Sequence, residues 1–168
     1  GPPADDLDMG PLINEKQFRQ VRDMVATAEA QGLKVAARGS VAPNASAQGF
    51  YQEAVLFRDV PGDSDIAQRE IFGPVLALTP FADEAEAVRL ANGTDFGLVA
   101  GIWTRDGARQ LRMAHKMHCG QVFINNYGAA GGVELPFGGV KSSGFGREKG
   151  FEALLGFTTL KTIAIKHG

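Results

Sequence analysis

The chain has 168 residues, 44% hydrophobic and 21% charged, with a formal net charge of −2, the balance of an ordinary globular protein. That length supports one domain with its own core, and the lack of a basic stripe argues against nucleic acid as a partner. The only cysteine, Cys119, leaves no internal disulfide and fits a reducing, cytoplasmic setting. No apolar stretch approaches the roughly 18 residues of a membrane span, so no membrane partner is expected. The opening Gly1-Pro2-Pro3-Ala4-Asp5-Asp6 is neither basic nor apolar. It does not read as a signal peptide, and it resembles the interior of a longer protein.

In chain order, Asn14 reads as a helix N-cap with Gln17 at the third helical position, a capping-box arrangement. Phe18, Val21, Val25 and Ala28 follow at helical spacing, and Gly32 ends that helix. Lys34 to Ala37 is a short strand, Gly39 to Gly49 a surface loop, and Phe50 to Val60 a strand or hairpin arm. Pro61-Gly62-Asp63 is a turn. A strand from Val75 to Phe81 comes next. Asp83 then caps a helix that stops at Gly93 as a left-handed terminator. Leu98 to Thr104 is a buried-type strand, Asp106 caps a helix ended by Gly120, and Gln121 to Asn125 is again a strand. Strands alternating with helices predict an α/β fold, a twisted strand layer with flanking helices. Phe157 to Lys166 alternates as a long strand at the chain end, with no hairpin partner nearby. The expected division is 1–156 for the main domain and 157–168 for that strand.

Two segments carry candidate chemistry. In Glu70-Ile71-Phe72-Gly73-Pro74-Val75, a carboxylate and an aromatic ring flank a Gly-Pro turn. An ionised carboxylate accepts hydrogen bonds from two neighbouring hydroxyls, and a phenylalanine packs on a flat ring. The pair suits a sugar joined to an aromatic base, or else an ordinary loop-to-strand junction. The second segment is Asn125-Asn126-Tyr127, a glycine-rich loop, and Pro136-Phe137-Gly138-Gly139-Val140-Lys141-Ser142-Ser143-Gly144-Phe145-Gly146-Arg147-Glu148. Its glycines permit close backbone approach to a ligand, or serve a long connection that needs tight turns. Gly138 to Ser142 lacks the glycine spacing of a phosphate-cradling loop, and Gly144-Phe145-Gly146 lacks the third glycine of a dinucleotide fingerprint. His115, His118 and Cys119 share a helix face, but no second ligand cluster exists and no metal is expected. Cys119, at the negative end of a helix dipole, reads as a packing residue rather than a nucleophile.

These segments together resemble the C-terminal part of the NAD(P)-dependent aldehyde dehydrogenase superfamily. The resemblance rests on Gly10-Pro11-Leu12-Ile13, the block at 70–75, Ala91-Asn92-Gly93-Thr94-Asp95-Phe96-Gly97-Leu98, Gly120-Gln121-Val122-Phe123-Ile124-Asn125, and the block at 136–148, all in order. Leu160-Lys161-Thr162 looks like the family's final strand. The resemblance implies oxidation of an aldehyde to a carboxylic acid. A cysteine thiolate attacks the carbonyl, hydride passes to the nicotinamide, and water cleaves the thioester with help from a glutamate base. It also implies that the nucleophile, that base, the oxyanion asparagine and the dinucleotide domain lie upstream of this chain. No catalytic residue is therefore expected here, NAD or NADP belongs to the full-length protein, and none is expected bound to this chain alone. By the same resemblance Glu70 hydrogen-bonds the nicotinamide ribose and Phe72 packs near the nicotinamide. Asn125 supports the catalytic loop, and Phe137 lies beside the site. Tyr127 to Val133, with Ala130 and Gly131 at its middle, lines the aldehyde tunnel, while Lys141, Gly144 and Arg147 look structural. The terminal strand would join a homo-oligomer. The alternative to a catalytic segment is a non-catalytic interaction module built on that strand, whose unpaired edge recruits other chains.

Overall fold

A computed structural model of the chain describes residues 1–2, 8–128 and 132–168. The fold is mixed α/β and divides into two compact units, Gly1–Phe81 and Ala82–Gly168. Among the described residues, no helix is long and apolar enough to cross a membrane.

The first unit is organised by helix α1 (Glu15–Ala30). The Asn14 side chain accepts a hydrogen bond from the Gln17 amide at 2.8 Å and so caps one of the orphan donors of the first turn. At the other end the Leu33 and Gly32 amides donate to the carbonyls of Ala28 and Glu29, and Gly32 takes the left-handed conformation such a terminator needs (φ +85°). Val21, Val25 and Ala28 are buried as their spacing predicts. Phe18 is half-buried instead, tilted against Phe50 at 6.2 Å with the Arg22 guanidinium 5.3 Å above its ring.

Opposite this helix lies a three-stranded sheet in the order β1 (Lys34–Arg38), β2 (Val55–Arg58), β3 (Val75–Ala77). β1 and β2 are antiparallel with a bulge between Val35 and Ala37, and β2 and β3 are parallel. Val55 and Phe57 alternate inward from β2 and join Val21, Val25, Ala28, Val60, Ile66 and Ile71 in one core. Ile66 comes from the short helix α2 (Asp65–Gln68). The strands are shorter than the sequence predicts. β2 ends where Asp59 turns left-handed (φ +54°); β3 ends at Ala77, although the Leu78 amide still donates to the Phe57 carbonyl and the Leu78 carbonyl accepts from the Val60 amide, each at 2.9 Å, and Leu76, Leu78 and Phe81 are exposed.

The second unit holds helices α3 (Glu84–Asn92) and α4 (Gly107–Lys116), capped by Asp83 and Asp106 as predicted. Strands β5 (Val99–Ile102) and β6 (Gln121–Ile124) flank α4 in sequence and pair in parallel. β4 (Phe96–Gly97) pairs with β7 (Val140–Lys141) antiparallel. Among the described residues the strands thus form three small sheets, one in the first unit and two in the second.

Of the three predicted glycine stops, Gly32 and Gly93 stand where their helices end, while the conformation of Gly93 and the position of Gly120 need correction. Gly93 follows α3 with φ −80°, not a left-handed angle, and α4 ends at Lys116, before Gly120 is reached. Gly120 is instead required by close approach, since a Cβ there would lie 1.6 Å from the Gly138 carbonyl oxygen.

The chain end also differs from expectation. Phe157 closes a 3₁₀ helix, Phe151–Phe157, instead of opening a strand. Residues 158–168 have no ladder pairing with any described residue. Alternation alone does not make a strand when no neighbouring strand supplies the hydrogen bonds.

Helices α3 and α4 are joined by charge. The Glu84 carboxylate accepts from Arg109 Nε at 2.6 Å, and from Arg112 Nε at 2.9 Å and Nη2 at 2.6 Å. Hydrogen bonds from Arg112 and then Arg109 hold Glu84 well below the usual glutamate range, at about 2. Because its acidity is raised on folding, the contribution of Glu84 is complete above the ordinary glutamate range and is lost as pH falls toward about 2. Acid unfolding of the native chain and of Glu84→Gln should therefore differ most near neutral pH and converge near pH 2; parallel curves would contradict this pairing.

Candidate functional site

Glu70 and Phe72 lie together on the loop between α2 and β3, in the first unit. Three features fix that loop. Ile71, between them, points into the core. The Gln17 side-chain amide, from the first turn of α1, donates to the carbonyls of Ile71 at 2.7 Å and Phe72 at 2.9 Å. Gly73 lies so close to α1 that a Cβ would meet Val21 Cγ2 at 2.5 Å. The loop is thus tied to α1 by a polar residue and an apolar residue one helical turn apart.

Phe72 itself has φ +52°. A phenylalanine in the left-handed region costs about 1–2 kcal/mol, so the surrounding contacts have to hold it there. Its ring is 71% exposed. Glu70 is also exposed, and no hydrogen bond or ion pair to another described residue involves its carboxylate. Both acceptor oxygens therefore remain available for paired donors, beside an uncovered aromatic face. Two acceptor oxygens and an exposed ring on one loop fit a ribose diol joined to a flat heterocycle, so the residues present suit the corresponding part of a nicotinamide dinucleotide.

The remaining predicted site residues belong to the second unit. Asn125 follows β6 with φ +52°. Its backbone amide extends the parallel ladder by donating to Ile102 at 2.8 Å. Its side-chain Oδ1 accepts from the Thr104 amide and its Nδ2 donates to the Thr104 carbonyl, each at 2.9 Å. The carboxamide thus imitates one more residue pair and locks the ends of β5 and β6 together.

Asn126 accepts from the Tyr127 amide at 2.8 Å and donates to the Gly128 carbonyl at 3.0 Å. This starts the glycine-rich loop and leaves the Tyr127 ring 86% exposed. Val133 is exposed too, while its carbonyl accepts from the Gly150 amide at 2.6 Å. Phe137 is half-buried and exchanges both backbone hydrogen bonds with Glu148 at 2.6 Å; the Lys149 ammonium lies 5.9 Å above its ring. Ala130 and Gly131 lie outside the described residues.

The polar residues of the 136–148 block fasten it to the turn after α3. Lys141 Nζ donates to the carbonyls of Asn92 at 2.8 Å and Thr94 at 2.9 Å, a cation placed on the last carbonyl of α3 and on one in the turn just beyond it. The Ser143 hydroxyl accepts from the Gly97 amide at 3.0 Å, and the Ser142 amide donates to Asp95 at 2.8 Å. Arg147 Nη1 donates to Gly146 at 2.6 Å and Gly139 at 3.0 Å. Cys119 is half-buried, with its thiol donating to the Gln121 carbonyl at 3.0 Å. Among the described residues, no group of three or more His, Cys, Asp or Glu comes together as a metal site.

Sequence reasoning missed two supporting residues. Gln17 reads in the sequence as half of a capping box, yet its side chain reaches residues 54 and 55 positions away, which no local spacing reveals. Asn92 reads as part of a motif, and its side chain proves to cap the far end of α4 by donating to Lys116 at 2.8 Å and accepting from the His118 amide at 2.7 Å.

Comparison with known proteins supplies the context for these positions. The profile of the aldehyde dehydrogenase family matches residues 1–163. Betaine aldehyde dehydrogenase 1 of Rhizobium meliloti is 39% identical over all of this chain and 34% of its own length. The 4-trimethylaminobutyraldehyde dehydrogenase of Sus scrofa is 40% identical over 99% of this chain and 34% of its own length. Among solved structures, a Burkholderia cenocepacia protein assigned to the aldehyde dehydrogenases superposes with a TM-score of 0.91 at 65% identity, over 97% of this chain and 34% of that one. A Mycobacterium tuberculosis aldehyde dehydrogenase complexed with NAD+ gives a TM-score of 0.87 at 37% identity, over 95% and 32%. This chain spans about a third of the length of these relatives. With a family match across nearly its whole length and a fold that superposes on solved members, the chain belongs to the aldehyde dehydrogenase family.

Proposed function

We propose that this chain forms the C-terminal part of the catalytic domain of an enzyme that oxidises an aldehyde to a carboxylic acid with NAD or NADP. The observation that carries the reading is the loop at 70–72: an unpartnered carboxylate and an uncovered aromatic ring, held beside each other on a braced backbone. In this reading Glu70 accepts hydrogen bonds from the two hydroxyls of the nicotinamide ribose, and Phe72 covers one edge of the nicotinamide. The cofactor, when bound, supplies the hydride acceptor. The protein's part is to orient that ring and to keep it from rotating away from the substrate.

Asn125 supports the catalytic loop through its Thr104 clamp, and Phe137 borders the site from the Glu148 bridge. Tyr127, Ala130, Gly131 and Val133 line the passage for the aldehyde. No residue of this chain is assigned the nucleophile's role, so the isolated chain is inactive and works within a longer enzyme, in the cytoplasm. Support for a longer assembly comes from the exposed apolar side chains of the second unit, among them Trp103, Phe145, Leu155 and Phe157, more than an isolated unit usually leaves in water.

The terminal segment supports a homo-oligomer. Leu160, Ile163 and Ile165 are exposed and the backbone after Phe157 has no ladder partner among the described residues, so its amides and carbonyls are open to pairing with another strand.

Three measurements test this reading. In the full-length enzyme, Glu70→Gln removes a charge-assisted acceptor worth about 1.5–3 kcal/mol; cofactor binding or hydride transfer should weaken about tenfold or more, and an unchanged kcat and KM for NAD would refute the role. Incubated with NAD and simple aldehydes, the isolated chain should give no turnover above blank, and any clear turnover would place a complete site within it. Light scattering of the chain should report a dimer or larger species, against which a monomer at high concentration would count decisively.

A further inference from the structure

We propose that Gln17 is a positioning residue for the 70–72 loop: its side-chain amide, by holding the consecutive carbonyls of Ile71 and Phe72, fixes the backbone conformation that sets Glu70 and Phe72 toward the cofactor. The proposal rests on the reading of that loop given above. The geometry that supports it is specific. One NH₂ group has two hydrogens, and Gln17 Nε2 lies 2.7 Å from the Ile71 oxygen and 2.9 Å from the Phe72 oxygen.

The relative direction of two successive carbonyls is set by the residue between them. In an extended residue they point to opposite sides of the chain; in a helical-type residue, of either hand, they point the same way. A single amide can therefore hold both carbonyls only while Phe72 is helical in type, and its φ of +52° is the left-handed form. Gln17 thus converts a conformation that phenylalanine disfavours on its own into the one the loop keeps.

The neighbouring contact acts in the same sense. Val21, one turn further along α1, closes against Gly73 with no room for a Cβ. Gln17 and Val21 together hold successive residues of the loop against the helix. Neither side chain needs to touch the cofactor for this: the brace acts through Phe72 and, through the shared backbone, on Glu70.

A double-mutant cycle in the full-length enzyme tests the proposal, with kcat and KM for NAD measured alongside thermal stability. Gln17→Met keeps the side-chain length and deletes both donors. It should lower kcat/KM for NAD by roughly ten- to a hundredfold, the range of a displaced positioning element. In the Glu70→Gln background the same substitution should change kcat/KM by no more than about threefold, because both changes remove one aligned element. Gln17→Asn, an amide one methylene shorter, should lie between Met and the native residue, and it carries the same cycle if Gln17→Met does not fold. If Glu70→Gln weakens NAD use and the Gln17 variants do not, or if the two effects multiply in full, the brace is overturned while the cofactor reading stands. If Glu70→Gln is itself silent, the cofactor reading falls, and the brace with it.

Discussion

The packing of α1 on β2 is the constraint on which the candidate site depends. Val21, Val25 and Ala28 from the helix meet Val55 and Phe57 from the strand in one buried cluster, and close-packed interiors fix relative position to within fractions of a side chain. Once that register is set, Gln17 and Val21 stand on the helix face opposite the loop at 70–73, and Ile71 enters the same core. The polar loop thereby inherits its position from an apolar interface. Glu70 and Phe72 remain exposed on a backbone that is not free to move, the combination expected of a recognition element placed on a rigid scaffold.

The second unit solves its positioning problem differently. Its described residues bury little apolar surface, Ile102 being the buried hydrophobic residue there, and polar contacts do much of the fastening. Lys141 holds the carbonyls after α3, Ser143 and Ser142 hold the turn that follows, Asn92 caps α4, and Asn125 completes the β5–β6 ladder. Such contacts are each modest in net energy but directional. They specify loop geometry closely while leaving many apolar side chains uncovered, as in a unit whose faces are completed by other parts of a larger protein.

What could be read from the sequence follows the range of the interaction concerned. The caps at Asn14, Asp83 and Asp106 and the apolar spacing of α1 are local, and each is found where the sequence places it. The mixed α/β class follows from the same local patterns. Strand ends are not local: β2 and β3 stop where a partner or a left-handed residue ends the ladder, and the terminal segment lacks any partner to make it a strand. Gly120 looks like a helix stop in sequence and is a close-packing glycine in space, because Gly138 lies in a loop the spacing cannot place. Glu70 and Phe72 read in the sequence as residue types suited to a ribose and a ring, and the structure leaves both exposed on one loop. The brace beneath them is not legible there, since Gln17 reaches them across more than fifty positions.

The proposed orientation of Glu70 and Phe72 toward the cofactor is most directly tested by a crystal structure of the full-length enzyme containing this segment, with NAD bound. The account predicts the Glu70 carboxylate within hydrogen-bonding distance of both nicotinamide ribose hydroxyls, the Phe72 ring against the nicotinamide, and Phe72 still left-handed under Gln17. A ribose bound by other groups, with Glu70 turned to solvent, would contradict it.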